Sequence, residues 1–513
     1  MYDLRDRHDD QGLAAVLKLS WPASLTMLNS TLIRFVDGLM VSRVGPGAMS
    51  AQLLAGMWSF SAESFATGVL TVVNTYVSQN FGAGNLRRTA RYAWSGMVLG
   101  LAFALLACPL AVFARAIFAQ FQPADQAGAP ELLGLEVMYF RYMVLGMSLT
   151  LTARPLEQFF FGVHRPKIVL MASVAANLWN VGANYVLIFG KCGFPALGLE
   201  GAAIGSVTAW ALQLAILLAA FLSRTMHEKF STRFVSTVRW GQIRDLLRLG
   251  WSAGLQLFND IFCWSVFLAL LVQKLFGESH LAASTVAMRY MGLSFMPAVG
   301  IGVATSAMVG KNIGAGRPDL ARHHTHVALA VAMTYMGLCG LAFWLFRYPM
   351  VELLVAAPKD MPPDQAAAMK DQIIRIGVDI MILSALFQLF DAVGIIFIGA
   401  LRGAGDTFWP MVLTIALSWG VIVGGGTAVA YMAPQWTSVG PWLAASSYVV
   451  VLGVVMAWRF ESGAWRKINL LGKLAGEPTP EPLADRAPIR TAIISQTLPE
   501  LPTDDGPQGP PRP

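Results

Sequence analysis

Apolar runs separated by short polar connections recur along the chain from residue 13 to residue 459. Most reach the ~20 residues that a helix needs to cross a bilayer. The pattern predicts twelve spans, over 13–41, 48–78, 92–118, 135–161, 167–189, 198–222, 246–275, 281–308, 325–346, 373–400, 409–432 and 438–459. Strict alternation of apolar and polar residues is absent, which argues against a transmembrane barrel. The expected fold is therefore an all-α polytopic membrane protein with twelve transmembrane helices.

Composition agrees. The 513 residues are 55% hydrophobic and 13% charged, whereas soluble domains carry about 25% charged residues. The net charge of +7 does not point to nucleic acid, because the basic residues fall in short connections between apolar runs. Arg87, Arg88, Arg91, Arg165, Lys167, Arg224, Lys229, Arg233, Arg239, Arg317, Arg322 and Arg402 all follow even-numbered spans. By the positive-inside rule this puts both termini in the cytoplasm, as an even number of spans requires. The acidic start, MYDLRDRHDD, does not read as a signal peptide. The four cysteines sit singly, without metal-ligand spacing or a disulfide framework.

The chain repeats itself. VSQNFGAGNLRRTAR from Val77 matches VGKNIGAGRPDLARH from Val309, an offset of 232 (309 − 77). LKLSWPASLTMLNS from Leu17 matches LRLGWSAGLQLFND from Leu247, an offset of 230 (247 − 17), with Asn29 and Asn259 in register. Two six-span halves in the same orientation imply a pseudo-twofold axis along the membrane normal. The expected organisation is an N-terminal lobe over 1–222, a cytoplasmic connection over 223–245 and a C-terminal lobe over 246–470. Two such bundles can rock about a central cavity, which is transporter architecture. Residues 471–513 lose apolar periodicity and gather prolines, so they are expected to be a disordered cytoplasmic tail.

Acids inside apolar runs carry the candidate chemistry. Asp391 lies eleven residues before Arg402 (402 − 391), about 16 Å at the helical rise, and so near mid-bilayer. An ionised carboxylate is costly there unless it is protonated, paired or wet. An ion pair with Arg289 or Arg141 is the structural alternative. Asp37 lies late in the first span with Arg34 one turn earlier, a local pair being its structural alternative. Asp260 lies beside Asn259 in the seventh span. Glu63 and Asp379 are weaker candidates near span ends. A buried carboxyl group that takes up a proton or Na+ in one state, and an organic cation in another, is the minimal physics of exchange. By contrast, Asp406 follows Gly403 and Gly405 and precedes Pro410, which reads as a helix cap at the cytoplasmic surface. Asn180 and Asn184 share one helix face, where they could coordinate an ion or substrate or join two helices.

Taken together, FVDGLMVSRVG, QNFGAGN, NLWNVGANYVLIFG, GLQLFND and FQLFDAVGIIFIGALRGAGDT, in this order, resemble the multidrug and toxic compound extrusion (MATE) transporters, most closely the NorM-type branch. The resemblance covers about 12–470. It implies two six-helix lobes in a V around a central cavity, and efflux of cationic amphipathic compounds in exchange for Na+ or H+. It places Asp37 on the acid of the N-terminal lobe, and Asp260 and Asp391 on a cation site that could hold Na+. Asn180, Asn184, Asn259 and Phe387 are expected in the substrate or ion cavity. Asp260 is one methylene shorter than the family's usual glutamate, and Phe387 stands where a tyrosine is expected.

The resulting expectation is a secondary antiporter of the bacterial inner membrane, not an enzyme. It is expected to be monomeric, to need no cofactor, and to meet organic cations, Na+ or H+ and lipids but no nucleic acid. The runner-up is a lipid-linked saccharide flippase of the wider superfamily, which would show a strongly cationic cavity. A membrane-embedded enzyme would need a converging catalytic cluster, and the sequence shows none.

Overall fold

The computed structural model of the chain describes residues 12–120, 129–233, 238–355 and 362–472. The expected tail over 471–513 lies almost wholly outside them. The described residues up to Asn469 form one compact unit, and no strand occurs among the described residues.

Helices occupy every predicted span. The first six are α1 (Leu13–Ser42), α2 (Pro46–Thr71) continued by α3 (Val73–Gly82), α4 (Leu86–Ala119), α5 (Ala129–Gly162), α6 (Pro166–Phe189) and α7 (Leu199–Phe221). A short helix, α8 (Arg224–Phe230), follows within the expected connection. The seventh span is α9 (Trp240–Val266), a π-helical stretch (Phe267–Gln273) and α10 (Lys274–Phe276). Then come α11 (Glu278–Gly314), α12 (Pro318–Leu345), the short α13 (Arg347–Leu354) and α14 (Pro363–Ala404). The eleventh span is α15 (Phe408–Leu417), a second π-helical stretch (Ser418–Gly425) and α16 (Gly426–Met432). The twelfth is α17 (Val439–Glu461).

Among the described residues nine of these helices are long and apolar enough to cross a membrane. The other three rods, α1, α2–α3 and α6, fall outside that set, and α1 and α6 carry polar residues of the site below. Prolines at the first turn start α2, α6, α12 and α14, where a missing N–H costs nothing. The outward faces carry large apolar side chains such as Leu106, Val112, Met171 and Leu178, each at least 70% exposed, as a lipid-facing surface requires.

Helices run further than the apolar runs suggest. The tenth span was expected over 373–400 but α14 takes 42 residues. Arg402, read from the sequence as a loop residue, therefore sits inside α14, and its Nε is buried without a hydrogen-bond partner.

The two halves meet through matching elements: α1 packs on α11, α2 on α9, and α3 on the last turns of α11. Glycines set the approach. A Cβ on Gly82 would overlap the carbonyl oxygen of Lys311, and one on Gly314 would overlap that of Gln79. These are the same contact twice, because Gln79 and Lys311, like Gly82 and Gly314, are 232 residues apart (311 − 79). A second related pair sets Gly68 against Gly254 and Gly300 against Ser24. Thr75 Oγ1 and Gln79 Nε2 donate to the carbonyls of Arg402 and Gly403 at 2.8 and 3.0 Å, closing the same crossing. Next to it Lys229 of α8 lies 5.7 Å over the Phe81 ring and 5.6 Å over Phe230. Burial, then the Arg165 charge, holds its amine below the usual lysine range.

Candidate functional site

Asp37 is partly buried and faces α6. Asn184 Nδ2 donates to Asp37 Oδ1 at 2.7 Å and to Asn180 Oδ1 at 3.0 Å. Asn180 Nδ2 in turn donates to Ser206 Oγ on α7 at 3.4 Å. Asn184 Oδ1 is buried without a partner. Three helices thus converge on one carboxylate through neutral amides and a hydroxyl. Ser206 is a member that sequence reasoning missed. The alternative Arg34–Asp37 pair does not form among the described residues. Arg34 turns to α2, its guanidinium 5.5 Å from the Phe60 ring centroid.

A second polar group fills the same half. Thr150 Oγ1 donates to Glu63 Oε1 at 2.7 Å, Arg154 pairs with Glu157 at 3.0 Å, and Gln213 Nε2 donates to Glu157 Oε1 at 2.8 Å. Arg34 and Arg154 both lie within electrostatic reach of Glu63. Two arginines thus face two glutamates. Asp379 is exposed.

In the other half, α9 is stitched to the eleventh span by a ladder one residue deep. Ser252 Oγ donates to Thr407 Oγ1 at 2.7 Å, Gln256 Nε2 to Thr414 Oγ1 at 3.1 Å and Asn259 Nδ2 to Ser418 Oγ at 3.0 Å. Trp419 Nε1 donates to Asn259 Oδ1 at 2.8 Å. The rungs lie on one helical face, at 252, 256 and 259, so the signal was present in the sequence. Asn29, the repeat counterpart of Asn259, likewise donates to a serine, Ser173 on α6, at 2.7 Å. Ser418 opens the second π-helical stretch, and such stretches are frequent at functional sites.

Asp260, next along α9, interacts with the Asn259 side chain and lies within electrostatic reach of Arg402. Asp391 on α14 is partly buried and makes no hydrogen bond or ion pair among the described residues. The alternative pairing with Arg141 or Arg289 is absent: Arg141 Nε donates to the Ala111 carbonyl at 3.0 Å. Tyr448 on α17 lies within electrostatic reach of both Asp260 and Asp391 and joins their surroundings. Phe387 is 3% exposed and packed in the apolar core with Cys263 and Tyr448, so it faces packing rather than open space. Asp406 is structural in a different way from that expected. It caps no helix through its side chain, but its Oδ2 accepts from Arg459 Nε and pairs with Arg459 Nη2, both at 2.9 Å.

The MatE family profile matches residues 22–186 and matches again over 260–424, one copy in each half. The chain belongs to the MatE family. Among its relatives, a probable multidrug resistance protein NorM of Burkholderia pseudomallei is 28% identical over 464 residues, 90% of this chain and 94% of the relative. The NorM of Mesorhizobium japonicum is 26% identical over 88% of this chain and 94% of its own length. The multidrug resistance protein PmpM of Pseudomonas aeruginosa is 28% identical over 80% of this chain and 82% of its own. These place the MatE chain with the NorM-type proteins. A crystal structure of MATE in the straight conformation covers 89% of this chain and 98% of its own, with TM-score 0.77 at 20% identity. An outward-facing MATE transporter of the MOP superfamily covers 89% and 97%, with TM-score 0.75 at 18% identity. Both share the all-α polytopic fold of this MatE chain.

Proposed function

We propose that this MatE chain is a secondary antiporter that exports amphipathic organic compounds in exchange for Na+ or H+. The observation that carries the reading is Asp391: a carboxyl group inside a membrane bundle with no basic partner among the described residues. A structural acid at that depth would be neutralised by a fixed cation. An acid left open is free to take a mobile one.

In this reading Asp260 and Asp391 hold the incoming ion in the C-terminal half, and Asp37 holds a second exchangeable charge against Asn184. Occupation removes negative charge from the site and loosens an organic cation bound there. An inward charge gains about 2.3 kcal/mol per 100 mV, enough to bias exchange. The two lobes then reorient about the α1–α11, α2–α9 and α3–α11 contacts, which bring glycines against backbone carbonyls. Because Arg87, Arg88 and Arg317 follow the closed crossing, the positive-inside rule makes that end cytoplasmic and the state outward-facing. Both termini are then cytoplasmic, in a bacterial inner membrane. The flippase reading needs a cationic interior, whereas Arg34 and Arg154 are balanced by Glu63 and Glu157.

The test is uptake of a cationic dye into proteoliposomes under imposed Na+ or pH gradients. Transport that follows either gradient supports the proposal; dye movement indifferent to both contradicts it.

A further inference from the structure

A cavity of 370 Å³ opens between the outer end of the seventh span, the first turns of α11 and the end of α13. It is lined by Gln273, Glu278, Leu281, Thr285, Arg289 and Leu354, among others. Its volume is in the range of sites for drug-sized molecules, about 300–1,000 Å³. It is separate from the acids described above: Gln273 lies thirteen residues beyond Asp260 (273 − 260), on the order of 20 Å along the rod.

Three polar side chains enter this space uncommitted. Gln273, Glu278 and Arg289 are exposed and make no hydrogen bond or ion pair among the described residues. Leu281, Thr285 and Arg289 recur every four residues and so form one stripe of α11. Arg289 lies eleven residues into α11 (289 − 278), about 16 Å from its start. A bare guanidinium at that depth is disfavoured against lipid, so the stripe faces water in this cavity. Further along, the same helix packs on α1, α3 and α14.

We propose that this cavity is a subsite for zwitterionic amphiphiles. The anionic group, a carboxylate, is held by the Arg289 fork, the cationic end lies toward Glu278, and the apolar body rests on Leu281 and Leu354. Arginine suits this role because its planar fork donates two parallel hydrogen bonds to a carboxylate. The assignment rests on the export reading and extends it from cations to molecules carrying both charges.

Two dyes differing only at the carboxylate test it: rhodamine 110, a zwitterion, and its methyl ester rhodamine 123, a cation. Binding is measured by fluorescence anisotropy on the full chain in phosphatidylcholine nanodiscs, without any gradient. Arg289→Gln should weaken rhodamine 110 about tenfold and leave rhodamine 123 within about twofold, while Arg289→Lys keeps most of the zwitterion affinity. Equal shifts for both dyes, or none for rhodamine 110, would overturn the subsite. So would loss of rhodamine 110 binding on adding phosphatidylglycerol to wild-type discs, which would make a lipid headgroup the anion held. Binding that depends on Arg289, with no transport under any gradient, would instead sink the antiport reading alone.

Discussion

Asn184 donates a 2.7 Å hydrogen bond to Asp37, tying α6 to α1 through a single carboxylate oxygen. The amide is itself fixed by Asn180 at 3.0 Å, so the carboxylate meets a positioned donor. The donated N–H favours the ionised carboxylate, so Asn184→Ala should tighten H+ binding at Asp37 by roughly ten- to a hundredfold, the range for one hydrogen bond to a charged group. Calorimetric titration of the purified chain with Na+, and with H+ at fixed Na+, reads the change. Unaltered affinity for both would remove Asp37 from the coupling machinery.

Gly82 and Gly314 make the same contact on opposite sides of the pseudo-twofold axis. A methyl group at either position meets backbone, not a flexible side chain, so the crossing must open. Gly82→Ala and Gly314→Ala should each destabilise the closed crossing by about 1–3 kcal/mol, and by similar amounts. Spin-label distances across α3 and α11 measure the shift in population. A broadened or longer distance in both variants is expected; no change in either contradicts the packing.

Asp406 is buried and pairs with the partly buried Arg459, their side chains 4% and 18% exposed, with Arg459 5.6 Å over the Trp409 ring. Removing one partner strands a charge, so Asp406→Ala should cost about 3–5 kcal/mol. A lowered Tm in detergent is the readout, and the surviving protein should transport at its normal rate. Loss of transport with unchanged Tm would move Asp406 from scaffold to site.

The Gln256–Thr414 rung measures 3.1 Å. Interhelical hydrogen bonds within membranes average about 0.6 kcal/mol, with a maximum near 1.7. A double-mutant cycle with Gln256→Leu and Thr414→Val, read by unfolding in a mixed-detergent series, should return a coupling in that range. A coupling of zero would mean that the α9–α15 seam is held by packing alone.

The fold was legible because helix formation and duplication are local and periodic signals. Twelve apolar runs became twelve rods, and QNFGAGN with KNIGAGR marked the elements that meet. Element ends were less legible, since polar turns such as the one holding Arg402 continue a helix once neighbouring elements shelter them. The site was legible in its acids but not in their company. Asp37, Asp260 and Asp391 are conspicuous wherever they stand, whereas the partner of Glu63, Thr150, is 87 residues away and that of Gln256 is 158 away. Arg34 illustrates the limit. Spacing offers it Asp37, but α2 supplies Phe60 and Glu63, and three-dimensional packing decides between them.

The central claim is that Asp391 carries the exchanged ion, and gradient-driven dye efflux from proteoliposomes of Asp391→Asn tests it most directly. The account predicts normal insertion and dye binding with efflux reduced to the leak of empty vesicles under both Na+ and pH gradients. Efflux at the wild-type rate under either gradient would contradict it.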